Sequence, residues 1–126
     1  MDVAMPTVVA NSLVEVGRLV AEFLHVKQRK FLLATWNDLV DTTPVKTGKA
    51  RASWFISPGF PFSREIPDGN YARPIEPDLA KYSTKHTRWL ISNTAPYIES
   101  LNRGSSRKAP AGFVQSAIYK NLIKYG

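Results

Sequence analysis

An apolar stripe in the first third of the chain constrains the fold more than any other feature. Val8, Leu13, Val16, Val20, Phe23, Leu24, Phe31, Leu32, Thr35 and Leu39 recur at spacings of three, four and seven, the period of one face of an α-helix. A helix of that length draws its stability from packing its apolar face rather than from propensity. The remaining residues must therefore supply a surface to cover it. Lys27 interrupts the stripe between Phe23 and Phe31, beside His25, Arg29 and Lys30. The helix breaks or kinks there, or that face meets a charged neighbour, or the lysine lays its stem on the apolar face and carries its ammonium out to water. Pro44 ends the helix, after turn chemistry from Asp41, Thr42 and Thr43.

Two strands are the first candidates for the covering surface. Residues 52–57, Ala-Ser-Trp-Phe-Ile-Ser, are bounded by Gly48 and by Pro58-Gly59, and residues 88–93, Arg-Trp-Leu-Ile-Ser-Asn, form the second clear strand pattern. A weaker strand is expected at residues 84–87. Between them, residues 58–77 hold five prolines and two glycines together with Phe60, Phe62 and Tyr71. Such a long loop is uncommon in a compact domain unless it binds something or becomes ordered in an assembly.

Residues 93–114 carry the densest set of backbone signals. Pro96 pushes Ala95 out of the helical region and marks a turn. A short helix is expected over residues 97–101, with Arg103 in its last turn and Gly104 as the left-handed residue that ends it. A polar, basic loop over residues 105–108 follows, and Pro110 suits a first helical position. Phe113, Val114, Ala117, Ile118 and Leu122 fit a short C-terminal helix, or an edge strand if residues 113–119 are extended.

Composition bounds the function classes. At 126 residues, one domain spanning residues 1–126 is expected, burying about two thirds of its unfolded surface. With no cysteine, neither a disulfide framework nor a thiolate metal site is available. No apolar run approaches the roughly 20 residues of a membrane helix, and residues 1–6 lack the positive region of a signal peptide, so a soluble, cytosolic protein without membrane partners is expected. Residues 1–50 carry six Lys/Arg and five Asp/Glu, a balance of +1, whereas residues 51–126 carry eleven and five, a balance of +6. That excess suits either a surface facing nucleic acid or another polyanion, or simply a soluble protein of high pI.

Catalytic and cofactor patterns are missing. Lys46-Thr47-Gly48-Lys49-Ala50 lacks the earlier glycine and the following Ser/Thr of a phosphate loop. His25 and His86 have no partner at metal-ligand spacing, and the serines near Gly104 lack the Gly-x-Ser-x-Gly setting of a nucleophile elbow. No cofactor, metal or catalytic residue is expected. Basic and aromatic residues alternate at Lys81-Tyr82, Lys85-His86 and Arg88-Trp89, a combination used by single-strand binders. Trp89 nevertheless lies in an apolar strand-like run, where an aromatic serves a core.

Two blocks carry a family resemblance. After the long helix, residues 43–54, Thr-Pro-Val-Lys-Thr-Gly-Lys-Ala-Arg-Ala-Ser-Trp, resemble the Thr-Pro-Val-x-Thr-Gly-x-x-Arg-x-x-Trp signature of neck and tail-completion proteins, the head-tail joining proteins of long-tailed bacteriophages. Pro44, Gly48, Arg51 and Trp54 are its fixed points here. Asn93, Pro96, Tyr97, Glu99, Leu101, Gly104, Ser106, Ala109, Pro110, Gly112, Phe113 and Val114 resemble, in the same order, that family's Asn-x-x-Pro-Tyr, Leu-x-x-Gly and Ala-Pro-x-Gly-x-Val blocks. Most of the chain is covered except the proline-rich loop, about residues 58–83.

The resemblance implies an α+β fold, with the long N-terminal helix packed on a small antiparallel sheet and short helices near the C-terminus. It implies a non-enzymatic virion protein, assembled in the host cytoplasm as a ring of identical subunits, hexameric in the family. That ring would surround the DNA channel between the capsid connector or stopper and the tail tube, as a tail-completion or tail-terminator component. The Gly48 turn would aim the first strand back across the helix, with Trp54 against the stripe. The loops at 58–77 and 104–110 would be free to meet neighbouring subunits, and Arg103, Arg107 and Lys108 are the expected assembly or DNA-channel contacts. The rival reading is a non-specific nucleic-acid-binding module using the basic C-terminal half.

Overall fold

A computed structural model describes residues 13–81, 88–104 and 111–125, with side chains from residue 25 onward. Helix α1 (Leu13–Thr42) runs 30 residues and passes Lys27 without a break. Its C-terminal half presents Leu32, Thr35, Trp36, Leu39 and Val40 as a buried face, wider than the expected stripe because Trp36 and Val40 flank it. Helix α1 then stops on its own hydroxyls: Thr42 Oγ1 donates to Asp38 O at 2.7 Å and Thr43 Oγ1 to Leu39 O at 2.5 Å. Pro44 follows, where its ring cannot continue a helix.

The first strand starts later than its sequence pattern suggests. Gly48 takes φ +85°, and Lys49–Ala52 wind into a single helical turn, α2, before strand β1 (Trp54–Pro58) begins. Strand β2 (Trp89–Asn93) pairs with β1 antiparallel, in a register that sets Trp54 opposite Asn93 and Pro58 opposite Trp89. A two-stranded ribbon is marginal in water and needs a packed face. Here Trp54 and Ile56 turn that face onto α1. Both indoles are satisfied: Trp36 Nε1 donates to Trp54 O at 3.1 Å, and Trp54 Nε1 to Thr43 Oγ1 at 2.8 Å. The expected α+β class, a long helix on a small antiparallel sheet, is the observed one.

Helix α3 (Ile98–Asn102) and helix α4 (Phe113–Tyr125) complete the chain. Residues 113–119 are helical, not an edge strand. Phe113, Ala117 and Asn121 recur every four residues and are buried against α1. Asn121 Nδ2 donates to Asp38 Oδ2 and to Ala117 O, both at 2.8 Å, so a buried amide meets the acceptors it needs. The weaker strand expected at residues 84–87 and the position expected for Pro110 lie outside the described residues.

Candidate assembly surface

The block at 43–54 builds a seat for the proline-rich segment. Thr47 O accepts Tyr71 N at 2.7 Å, and Arg51 Nη2 donates to Tyr71 O at 3.3 Å. Tyr71 approaches so closely that a Cβ on Gly48 would stand 2.2 Å from Tyr71 O, and the positive φ independently disfavours any other residue. Gly48 therefore serves both the turn and the strap that crosses it.

Beside this seat lies an ionic cluster that no local pattern in the chain announces. Lys49 is buried at 5 % exposure, its Nζ 2.6 Å from Glu65 Oε1 and hydrogen-bonded to Asp68. The two carboxylates hold the ammonium pKa well above its ordinary value, and the lysine in turn holds Asp68 below the usual carboxylate value. An amine kept protonated is neither nucleophile nor base, so the cluster acts as a clamp. Farther along, Arg73 donates to Asp41 Oδ1 and to Asn37 Oδ1, each at 2.9 Å, and its guanidinium lies over the Trp36 ring at 5.7 Å. Asn37 Nδ2 donates to Glu76 at 2.8 Å, and Leu79, in a 3-10 turn (Leu79–Lys81), plugs into the core.

Residues 59–78 thus form a strap across α1 and α2, which corrects the expectation of a loop free along its length. Its outward side still offers Phe60 and Ile75 to solvent. Phe62, also exposed, packs its ring against Phe55, with centroids 4.2 Å apart.

The second block meets the first at Asn93, whose Nδ2 donates to Ala50 O at 2.9 Å while its Oδ1 accepts Ala95 N at 2.9 Å. Ala95 is buried, and the following Pro96 and Tyr97 are exposed at the start of α3. Gly104 ends α3 with φ +94°, as expected, and Gly112 precedes α4 with φ +78°. Asn102, which the motif reading passed over, ties the two together. Its carbonyl accepts Gly112 N at 2.6 Å, its Oδ1 accepts Val114 N at 3.0 Å, and its Nδ2 donates to Gln115 at 2.9 Å. Asn102 thereby joins the end of α3 to the start of α4. Arg103 is largely exposed and lies 3.5 Å from Glu99 Oε2, a contact of the weak surface kind. Arg107, Lys108 and Pro110 lie outside the described residues.

Helix α4 turns a second surface outward. Ile118, Tyr119, Leu122 and Ile123 are exposed on the side away from Phe113, Ala117 and Asn121. Lys120 turns toward α1, reaching Asp38 Oδ2 at 3.5 Å, and the Lys124 ammonium lies 5.4 Å from the centre of the Tyr125 ring. Among the described residues, no group of three or more His, Cys, Asp or Glu is arranged to hold a metal ion, and no helix is long and apolar enough to cross a membrane. No protein-family model, curated protein or solved structure matches the chain.

Proposed function

We propose that this chain is a non-enzymatic structural subunit of the neck of a long-tailed bacteriophage virion. It joins the capsid connector to the tail tube, in tail completion or termination, as a ring of identical copies around the DNA channel. The observation that carries this reading is the meeting of the two motif blocks. Residues 43–54 and 93–114, which resemble the head-tail joining family in order and content, are joined by the Asn93–Ala50 hydrogen bond and by the pairing of Trp54 with Asn93. Their fixed residues shape backbone and carry surface segments rather than converge on a reaction centre. Gly48 and Arg51 seat the strap; Gly104 and Gly112 bound the basic segment. Exposed apolar side chains on α4 and on the strap supply what a subunit needs to meet neighbours.

Co-expression with the neighbouring connector and tail-tube proteins tests the proposal, with mass measurement of the resulting complexes. A ring-sized species that enters tailed particles is expected; a stable monomer that never enters particles sinks it. Reversing the charges of Arg103, Arg107 and Lys108 should leave folding intact and lower the yield of tailed particles. Normal infectivity from that triple variant would remove these residues from the contact set. The balance of +6 over residues 51–126 supports a second reading, a nucleic-acid-binding module. It requires affinity for free DNA or RNA that falls steeply with salt, and a filter-binding titration showing no binding at low salt rejects it.

A further inference from the structure

We infer that the open edge of β2 pairs with the same edge of a second copy of this chain, antiparallel about a two-fold axis at Ile91, to make a four-stranded sheet. The two edges of the ribbon are built differently. Ser53 O accepts Thr94 N at 3.3 Å, and Arg88 O accepts Gly59 N at 2.8 Å. With Ile56 opposite Ile91, these bonds fix the alternation of an antiparallel ladder: residues 88, 90, 92 and 94 bond toward β1, and Trp89, Ile91 and Asn93 turn their N–H and C=O to the far edge. On the opposite edge, Trp54 O is taken by Trp36 Nε1 at 3.1 Å, Pro58 has no N–H, and Pro58 O accepts Phe60 N at 2.9 Å. Proline and cover by neighbouring groups are the usual ways of blunting an edge. Strand β2, Trp-Leu-Ile-Ser-Asn, has neither proline nor charge. Among the described residues, no hydrogen bond reaches the outward N–H and C=O of Ile91.

Such an edge is satisfied by extended backbone, and a second β2 supplies it symmetrically. Antiparallel pairing sets Ile91 across from Ile91 of the second copy, where each N–H donates to the other's carbonyl. Trp54 and Ile56 share the core face with their partners Asn93 and Ile91, so Leu90 and Ser92 stand on the other face. Leu90 then lies across from Ser92 of the second copy and diagonal to Leu90 of the second copy, within side-chain reach. Charge selects the direction. Arg88 stands across from Thr94 of the second copy, which keeps the two arginines about 20 Å apart at ~3.4 Å per residue, whereas parallel pairing in register sets them side by side. A lone two-stranded ribbon is marginal, and four strands make an ordinary sheet. A two-fold contact closes at two copies, so it pairs subunits and does not build a ring. It is read from the chain alone and stands or falls apart from the neck reading.

Sedimentation velocity and residue-resolved amide exchange on the full chain, over a wide concentration range, test the pairing, with circular dichroism as the check on folding. A species of two copies should appear as concentration rises. In dilute solution the Leu90 and Ser92 amides, bonded to β1, should exchange slowly and the Ile91 amide fast. Where pairs form, Ile91 should slow at least about tenfold, as expected once about nine chains in ten are paired. Leu90 lies outside the buried core, so Leu90→Lys should fold normally; it brings two like charges together across the axis and should pair at least about tenfold more weakly. Leu90→Glu should behave alike, and an equal mixture of the two variants should recover pairing, because unlike charges then meet on the diagonal. A wild-type chain that stays monomeric throughout overturns the inference, as does association that leaves Ile91 exchange fast. So does an Ile91 amide already slow in the single chain, which would mean that another segment covers the edge, or a Leu90→Lys chain that pairs like wild type.

Discussion

The helical core and the strap are held to the same molecule by different physics. Around Trp36 and Trp54, Leu32, Leu39, Val40, Ile56, Phe113 and Ala117 are buried together, and their stabilisation scales with apolar area removed from water. The strap at 59–78 leads into that core at Leu79. Elsewhere it is held by the Lys49 clamp, the Arg73 contacts and the Tyr71 backbone bonds. Apolar burial carries no titrating group and is not screened by salt, whereas ion pairs are weakened by screening and respond to pH. The comparison teaches that the strap can be loosened while the core stays folded.

The largest effect should come from the core. Trp36→Ala removes a side chain 2 % exposed and should cost about 3–5 kcal/mol, read as a drop in the denaturant midpoint; a loss under about 1 kcal/mol, the scale of a surface change, would break the comparison from the core side. Gly48→Ala comes next. Its left-handed backbone costs about 1–2 kcal/mol, and the Cβ must displace Tyr71 O, so amide exchange should quicken over residues 65–75. Unchanged exchange there would mean that the strap is not seated on Gly48.

Asn102→Ala leaves Val114 N without its partner and should cost about 1 kcal/mol, the scale of a lost helix cap. Its mark should be faster exchange in the first turn of α4, and a uniform loss across the molecule would contradict that local role. Smallest in global stability is Lys49→Met. The freed Glu65 and Asp68 side chains are 50 % and 95 % exposed and return to water, so the midpoint should barely move while strap exchange rises.

The pH dependence follows from the signs of the shifts. Asp68 is lowered from 3.8, so its contribution is complete above that value and is lost as pH falls through the lower value it has when folded. Lys49 is raised from 10.5, so its contribution is complete below that value and is lost only as pH rises beyond it. Strap protection should hold from mildly acidic pH to pH 10 and fall in acid below 3.8. A strap equally protected in acid, or in the Lys49→Met variant, would show that its ion pairs do not hold it.

Much of the core was legible because it is periodic. The stripe ending at Leu39, the strand patterns around Trp54 and Leu90, and the stop at Pro44 are local signals of spacing and backbone restriction. Gly104 was legible for the same reason, since a left-handed residue is needed where α3 ends. Lys49 was not legible. Its partners stand 16 and 19 residues away in a segment without periodicity, and in the chain it reads as one more surface cation. Asn102 was hidden likewise, because its amide matters only once Gly112 and Val114 fold back onto it.

By itself, then, the sequence determined the elements: one long amphipathic helix, two short strands, a terminated helix before the basic segment, and turns that only glycine and proline permit. Tertiary structure decided the helical state of residues 113–119, by giving Phe113, Ala117 and Asn121 a face of α1 to pack on. It also decided that the proline-rich segment is a strap, and that α4 turns Tyr119 and Ile123 outward. Local conformation is set by neighbours in the chain, which a sequence displays directly. Clamps and outward faces are set by residues brought together from far along it, and they exist only after the core has closed.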